Sequence, residues 1–219
     1  MIDIDIVQHI NAVHRQVGTR VLEPGEARTV ILSRAYHADL DDVWDAVTSP
    51  ERIPRWFLPI SGDLRPGGHY QLEGNASGTI ERCDPPNGFA ATWEFGGEVT
   101  WIEVRLTAEA AGRTRVQLEH IAHVGDERWA EFGPGAVGVG WDLSFMGLAR
   151  HLESGEPVDP HAFMHWLGSE EGKQLMTRSS QLWGEAHIAA GADRSAAQAA
   201  TDRTTAFYTG SAPASVSGT

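Results

Sequence analysis

The period of the apolar positions changes several times along the chain, and each change marks an element. Ile6, Ile10, Val13 and Val17 recur at helical spacing and predict an N-terminal helix over residues 2–17. Residues 28–36 are β-rich and predict a strand. Asp39 stands where a helix cap belongs, ahead of Leu40, Val43, Trp44 and Val47 on one side of the next helix, which Pro50 and Pro54 close. Strands are then expected over 68–73, 77–83, 89–95, 99–106 and 113–123, with a turn at Asp84-Pro85-Pro86-Asn87-Gly88 and another over 108–112. Strands in close succession without helices between them predict an antiparallel meander.

Alternation assigns the faces of that meander. Ile102, Val104 and Leu106 fall on one face, opposite Trp101, Glu103 and Arg105. Val116, Leu118 and His120 share a face, as do Ala91, Trp93 and Phe95. One half-buried face per strand is what a sheet covered by a single helix shows. The covering helix is expected over 134–153, with Pro134 in its first turn and an apolar face of Val137, Trp141, Phe145, Leu148 and Leu152. Asp142, Arg150 and Glu153 are assigned to the opposite face. Gly140, Ser144 and Gly147 form a stripe of small residues, and each glycine inside a helix costs about 1 kcal/mol relative to alanine. Two reasons for the stripe stand open: close packing on the sheet, or room left for a ligand.

The chain continues well past that helix. Helices are expected over 161–167, over 170–190 behind a Ser169 cap, and over 193–208, followed by a disordered tail at 210–219. Leu175, Leu182, Trp183 and Ala186 lie near one helical face, so this extension must dock, either on its own chain or on a second copy. The chain is therefore expected to be a monomer, or a homodimer through the C-terminal helices.

Composition removes several function classes. The formal net charge of −13 opposes a nucleic-acid partner, because a duplex binder needs a basic stripe to displace counterions. No apolar run approaches the roughly 20 residues that span a bilayer, so membrane insertion is not expected. Met1-Ile2-Asp3-Ile4-Asp5 lacks the basic and apolar regions of a secretion signal, and Cys83 stands alone. Together these place the protein in the cytoplasm.

From residue 28 to 153 the expected order is strand, helix, meander and long final helix, and the local motifs become specific. The run from Val43 to Arg52 (VWDAVTSPER) followed by Arg55-Trp56-Phe57 resembles the opening of the activator of heat-shock protein 90 ATPase-like proteins. These form a branch of the SRPBCC superfamily, which also holds START lipid-transfer domains and the birch-pollen-allergen fold. Asp63-Leu64-Arg65-Pro66-Gly67-Gly68, Gly78-Thr79-Ile80-Glu81, Asp84-Pro85-Pro86 and Thr92-Trp93 continue the resemblance in order. It implies an α+β helix-grip fold, a curved antiparallel sheet wrapped around a long helix, and usually a cavity between them. It does not imply a reaction. The sequence departs from the compact family pattern by an N-terminal segment (1–22) and a helical extension (156–209) around the helix-grip domain at 23–155.

No nucleophile elbow, phosphate loop or dinucleotide fingerprint is present, so no cofactor and no catalytic residue are assigned. His120 and His123 fall on opposite faces of their strand, and His161 and His165 lack a third ligand nearby, so no metal site is assigned either. His120 is the candidate polar group on the buried face, with a satisfied core histidine as the alternative. The expected ligand is a small apolar molecule between sheet and helix. Its expected contacts are Trp56, Tyr70, Trp93, Val104, Leu118, His120, Gly140, Trp141, Ser144, Gly147 and His151. A cyclase-type enzyme using the same pocket and a co-chaperone-like interaction module remain open beside the binder.

Overall fold

A computed structural model describes residues 6–23 and 25–211. The helix α1 (Ile6–Ala12) leads into the hairpin of β1 (His14–Leu22) and β2 (Gly25–Tyr36). Next come α2 (Leu40–Thr48), a 3-10 turn at Ile53–Arg55, and the strands β3 (Ile60–Gly62), β4 (His69–Leu72), β5 (Ser77–Asp84), β6 (Gly88–Phe95), β7 (Glu98–Ala110) and β8 (Arg113–Ala122). The helices α3 (Asp126–Phe132), α4 (Gly135–Ser154), α5 (Pro160–Leu167), α6 (Glu170–Ala189) and α7 (Arg194–Thr209) complete the described chain. The strands form one curved antiparallel sheet in the order β1-β2-β8-β7-β6-β5-β4-β3. This is the expected α+β helix-grip architecture.

The buried face follows the alternation. Ile102, Val104 and Leu106 on β7 and Val116, Leu118 and His120 on β8 are all buried, and Trp141, Phe145 and Leu148 of α4 pack onto them. His123 takes the other face, where its ring meets Trp101 edge-on at 5.9 Å. Phe95, at the end of β6, stands 59% exposed on the hairpin tip instead of sharing the burial of Ala91.

Five sequence expectations are corrected. The N-terminal helix stops at Ala12, and residues 14–22 are the edge strand β1, paired with β2 from His14–Ser33 to Leu22–Gly25. Residues 2–5 of that expected helix lie outside the described residues, as do 212–219 of the expected tail. Asp39 occupies the cap position of α2 but caps nothing; its Oδ1 accepts from the Gly112 N–H at 3.0 Å and so ties the β7–β8 turn to α2. Pro134 is the cap residue of α4 rather than its first helical residue, and Val137 faces solvent. Asp142, assigned to an exposed face, is 1% exposed.

The last correction has a physical cause: the far side of α4 is covered. Helix α6 packs across it, with α7, α1 and β1 alongside. Trp183 is fully buried there and belongs to the same apolar cluster as Val139 and Trp141. An ideal Cβ on Gly138 would lie 2.3 Å from the Trp183 ring, so only a glycine admits that indole against the helix. The extension thus docks on its own chain. Ser169 caps α6 as read from sequence, accepting from the Gly172 N–H; Asp159 likewise caps α5, accepting from the His161 and Ala162 N–H, and Asp193 caps α7, accepting from Ala196.

Candidate functional site

Between the sheet and α4 the packing is incomplete, leaving a cavity of about 140 Å³. Its floor is the inner face of β4 to β8, including Tyr70, Trp93, Val104 and Leu118. Its roof is α4, through Trp141, Ser144, Phe145 and Leu148. The end of α2 and the turn after it close one side with Trp56 and Phe57. Trp56 and Phe57 stack at 5.5 Å, Phe57 faces Trp141 at 6.5 Å, and Trp93 meets Trp141 edge-on at 4.9 Å. The four rings form a continuous aromatic wall.

The polar atoms of the lining are largely committed elsewhere. The Tyr70 hydroxyl donates to the Thr92 carbonyl at 2.7 Å, Thr48 Oγ1 to Trp44 at 2.7 Å, and Ser144 Oγ to Gly140 at 3.0 Å. The indole N–H of Trp56 donates to the Ala46 carbonyl at 2.8 Å, and that of Trp141 to His120 Nδ1 at 2.9 Å. Burial pushes the Tyr70 hydroxyl well above its ordinary range. Burial, with Asp84 beside it, also raises the Cys83 thiol, which keeps it protonated and a weak nucleophile.

Of the residues expected at the site, Trp56, Tyr70, Trp93, Val104, Leu118, Trp141 and Ser144 line this cavity. Four do not. Gly140 faces Tyr208, whose hydroxyl would lie 3.5 Å from an added Cβ. Gly147 is pressed against the Trp56 backbone, with an added Cβ only 2.3 Å from that carbonyl oxygen. His151 is buried under the 3-10 turn, where its Nε2 accepts from Arg52 Nε at 3.2 Å. His161 and His165, never assigned as ligands, stand exposed on α5.

His120 sits behind the wall rather than in it. Because Nδ1 accepts from Trp141, the ring proton resides on Nε2, which donates to Thr100 Oγ1 at 2.9 Å. Thr100 in turn donates to the Trp93 carbonyl at 3.0 Å. The relay joins two of the four wall aromatics and leaves neither ring nitrogen of His120 free. Phe57, Phe145, Leu148, Ala91 and Ile102 also line the cavity. Of these, Phe145, Leu148, Ala91 and Ile102 were legible as inward positions from the same periodicities; Phe57 sits in an irregular turn with no period to read.

Burial lowers the His120 pKa from 6.5 to about 4. Between those values the unfolded chain binds a proton that the folded one does not. Stability should therefore be full above about pH 6.5 and fall as pH drops toward 4. At ~1.4 kcal/mol per unit the loss from this one ring by pH 5 is about 2 kcal/mol. His9, pushed down to about 3 by burial and Arg34, adds in the same direction. Urea unfolding at pH 7 and pH 5 checks this: His120→Gln should lose about 2 kcal/mol less than the parent over that interval. Identical pH dependence in the two proteins would refute the assignment.

The fold and its cavity define a helix-grip protein of the SRPBCC superfamily. Residues 37–153 match the family described as Activator of Hsp90 ATPase homolog 1-like protein, and the chain belongs to that family. The solution structure of CalU16 from Micromonospora echinospora is 33% identical, with a TM-score of 0.69, over 82% of this chain and 97% of that one. The crystal structure of CalU16 gives 34% identity and a TM-score of 0.64 over 80% and 98% of the two chains. DynU16, a putative protein in the dynemicin biosynthetic locus, shares the fold at 23% identity and a TM-score of 0.53, over 59% of this chain and 48% of that one. No curated protein matches the sequence. Among the described residues no helix is long and apolar enough to cross a membrane.

Proposed function

We propose that the protein binds a small, neutral, ring-bearing apolar molecule in the cavity between sheet and α4, without carrying out chemistry on it. One observation carries this reading: an aromatic wall encloses space while the hydroxyls of Tyr70, Thr48 and Ser144 and the indoles of Trp56 and Trp141 are already hydrogen-bonded. Such a lining rewards apolar area and shape and offers little to a polar group. The scale is suitable, since apolar cavities near 150 Å³ stay dry and bind benzene. A cyclase-type reaction would need a titratable group with a free atom at the ligand, whereas both nitrogens of His120 are engaged behind Trp141. The single, half-buried cysteine accords with a cytoplasmic setting.

Calorimetric titration with benzene and phenol tests the reading. Benzene should bind, and phenol should bind about tenfold more weakly or worse, because its hydroxyl loses water without gaining a partner. Val104→Phe, which fills the cavity from its floor, should abolish benzene binding while leaving the unfolding free energy from urea titration within about 1 kcal/mol of the parent. Equal binding of benzene to parent and Val104→Phe would place the ligand elsewhere.

A further inference from the structure

Trp141 and Asp142 are neighbours on α4 and point about 100° apart, as the helical repeat of 3.6 residues requires. Trp141 looks into the cavity. Asp142 looks the other way, into a buried polar knot. Its Oδ2 accepts from Arg15 Nε at 2.9 Å, from Trp183 Nε1 at 3.1 Å and from Ser179 Oγ, and its Oδ1 accepts from Arg15 Nη2 at 2.9 Å. Arg15 is itself fixed, because its Nη1 donates to the carbonyls of Ile10 at 3.2 Å and Val13 at 3.0 Å. Burial pushes the Asp142 carboxyl up, and four donors converging on it oppose that shift. One turn earlier, Trp183 also fills the notch at Gly138.

These partners share an origin. Arg15 lies on β1, and Ser179 and Trp183 lie on α6, so all three fall outside residues 37–153 that match the family. Charge-assisted bonds are directional, and a buried carboxylate held by two from a guanidinium, one from a hydroxyl and one from an indole has one tolerated orientation. Turning α4 about its axis would break them, and the same turn would swing the Trp141 indole off His120 Nδ1 and away from Trp93.

We infer that Asp142 is a positioning residue for the cavity: held from outside by β1 and α6, it fixes the rotation of α4 and with it the Trp141 wall. This rests on the binding reading above for its consequence, though not for its geometry. The two terminal additions are thereby part of the site without touching it.

The test uses the full chain, with the Trp141 indole N–H resonance and benzene affinity as separate readouts. Asp142→Asn removes the charge, while Trp183→Phe removes one donor and keeps the carboxylate, Arg15 and Ser179, so it serves if the first variant does not fold. Thr114→Ala, which deletes a buried donor to the Ala38 carbonyl and touches none of the Asp142 partners, controls for plain destabilisation. Both knot variants should shift the Trp141 resonance and weaken benzene binding about five- to tenfold, and Thr114→Ala should do neither. An unmoved Trp141 resonance in both knot variants overturns the inference whether or not benzene binds. A moved resonance sustains the clamp even if the parent fails to bind benzene, an outcome that would count against the binding reading alone.

Discussion

Trp183→Ala should lower the unfolding free energy by about 3–5 kcal/mol, the range for truncating a large buried aromatic. Trp183 is fully buried between α6 and α4, and three contributions converge on it. Removing the ring opens a cavity against Gly138, which has no side chain with which to fill it. It strips the apolar cluster that includes Val139 and Trp141 of its largest member on that side. It also deletes one of the donors to the buried Asp142 carboxylate, which must then rely on Arg15 and Ser179. Urea unfolding followed by circular dichroism reads the loss directly. Trp183→Phe should fall between, retaining most of the packing and losing the hydrogen bond. A loss under about 1 kcal/mol for the alanine variant would mean that the extension contributes little to the fold, contrary to the packing seen here.

How much of this was legible in the sequence depended on whether an element buries one clear face. Strands β7 and β8 and helices α6 and α7 do, and their periods placed them within a few residues; α4, buried on nearly all sides, was placed by its apolar stripe and its length. Strand β1 does not. Its residues alternate only between exposed and half-buried, so no apolar period of two marks it, and Val13 and Val17 happened to continue the helical spacing of Ile6 and Ile10. Helix α3 has no buried residue and therefore no stripe; it is held instead through Trp129, whose ring lies under Arg28 and whose N–H reaches His187 at 3.1 Å. Asp142 was misread for a different reason. A lone acidic residue on a helix is normally solvated, and nothing local announces partners 127, 37 and 41 positions away. For the cavity, alternation and helical period identified most of the inward residues. Whether they leave space is set by the curvature of the sheet and the seat of α4, which no local pattern encodes.

The glycines of α4 show the same limit, and they separate by experiment. Read as a stripe, Gly140, Ser144 and Gly147 share one environment, packed or open, which would make both glycines respond alike to substitution. The structure gives them opposite environments. Gly147 lies against the Trp56 carbonyl, a backbone atom that cannot rotate aside, and a methyl group there would sit 2.3 Å from it. Gly147→Ala must therefore push α4 away from the turn that carries Trp56 and Phe57. Overpacking of this kind costs about 1–3 kcal/mol or more, and the better helix propensity of alanine returns only about 1. The contact is with a backbone carbonyl that cannot move aside, so the upper end applies, and a net loss of about 2 kcal/mol is expected. Because Trp56 and Phe57 form one side of the cavity, benzene binding should weaken as well. At Gly140 the nearest atom to an added methyl is the Tyr208 hydroxyl at 3.5 Å, an ordinary contact. Gly140→Ala should then express mainly the helix propensity and stabilise the protein by up to about 1 kcal/mol, with benzene binding unchanged. Urea midpoints of the two variants shifted to the same side of the parent would contradict this assignment of the two faces; midpoints on opposite sides follow from one glycine meeting a backbone carbonyl and the other meeting the end of a tyrosine.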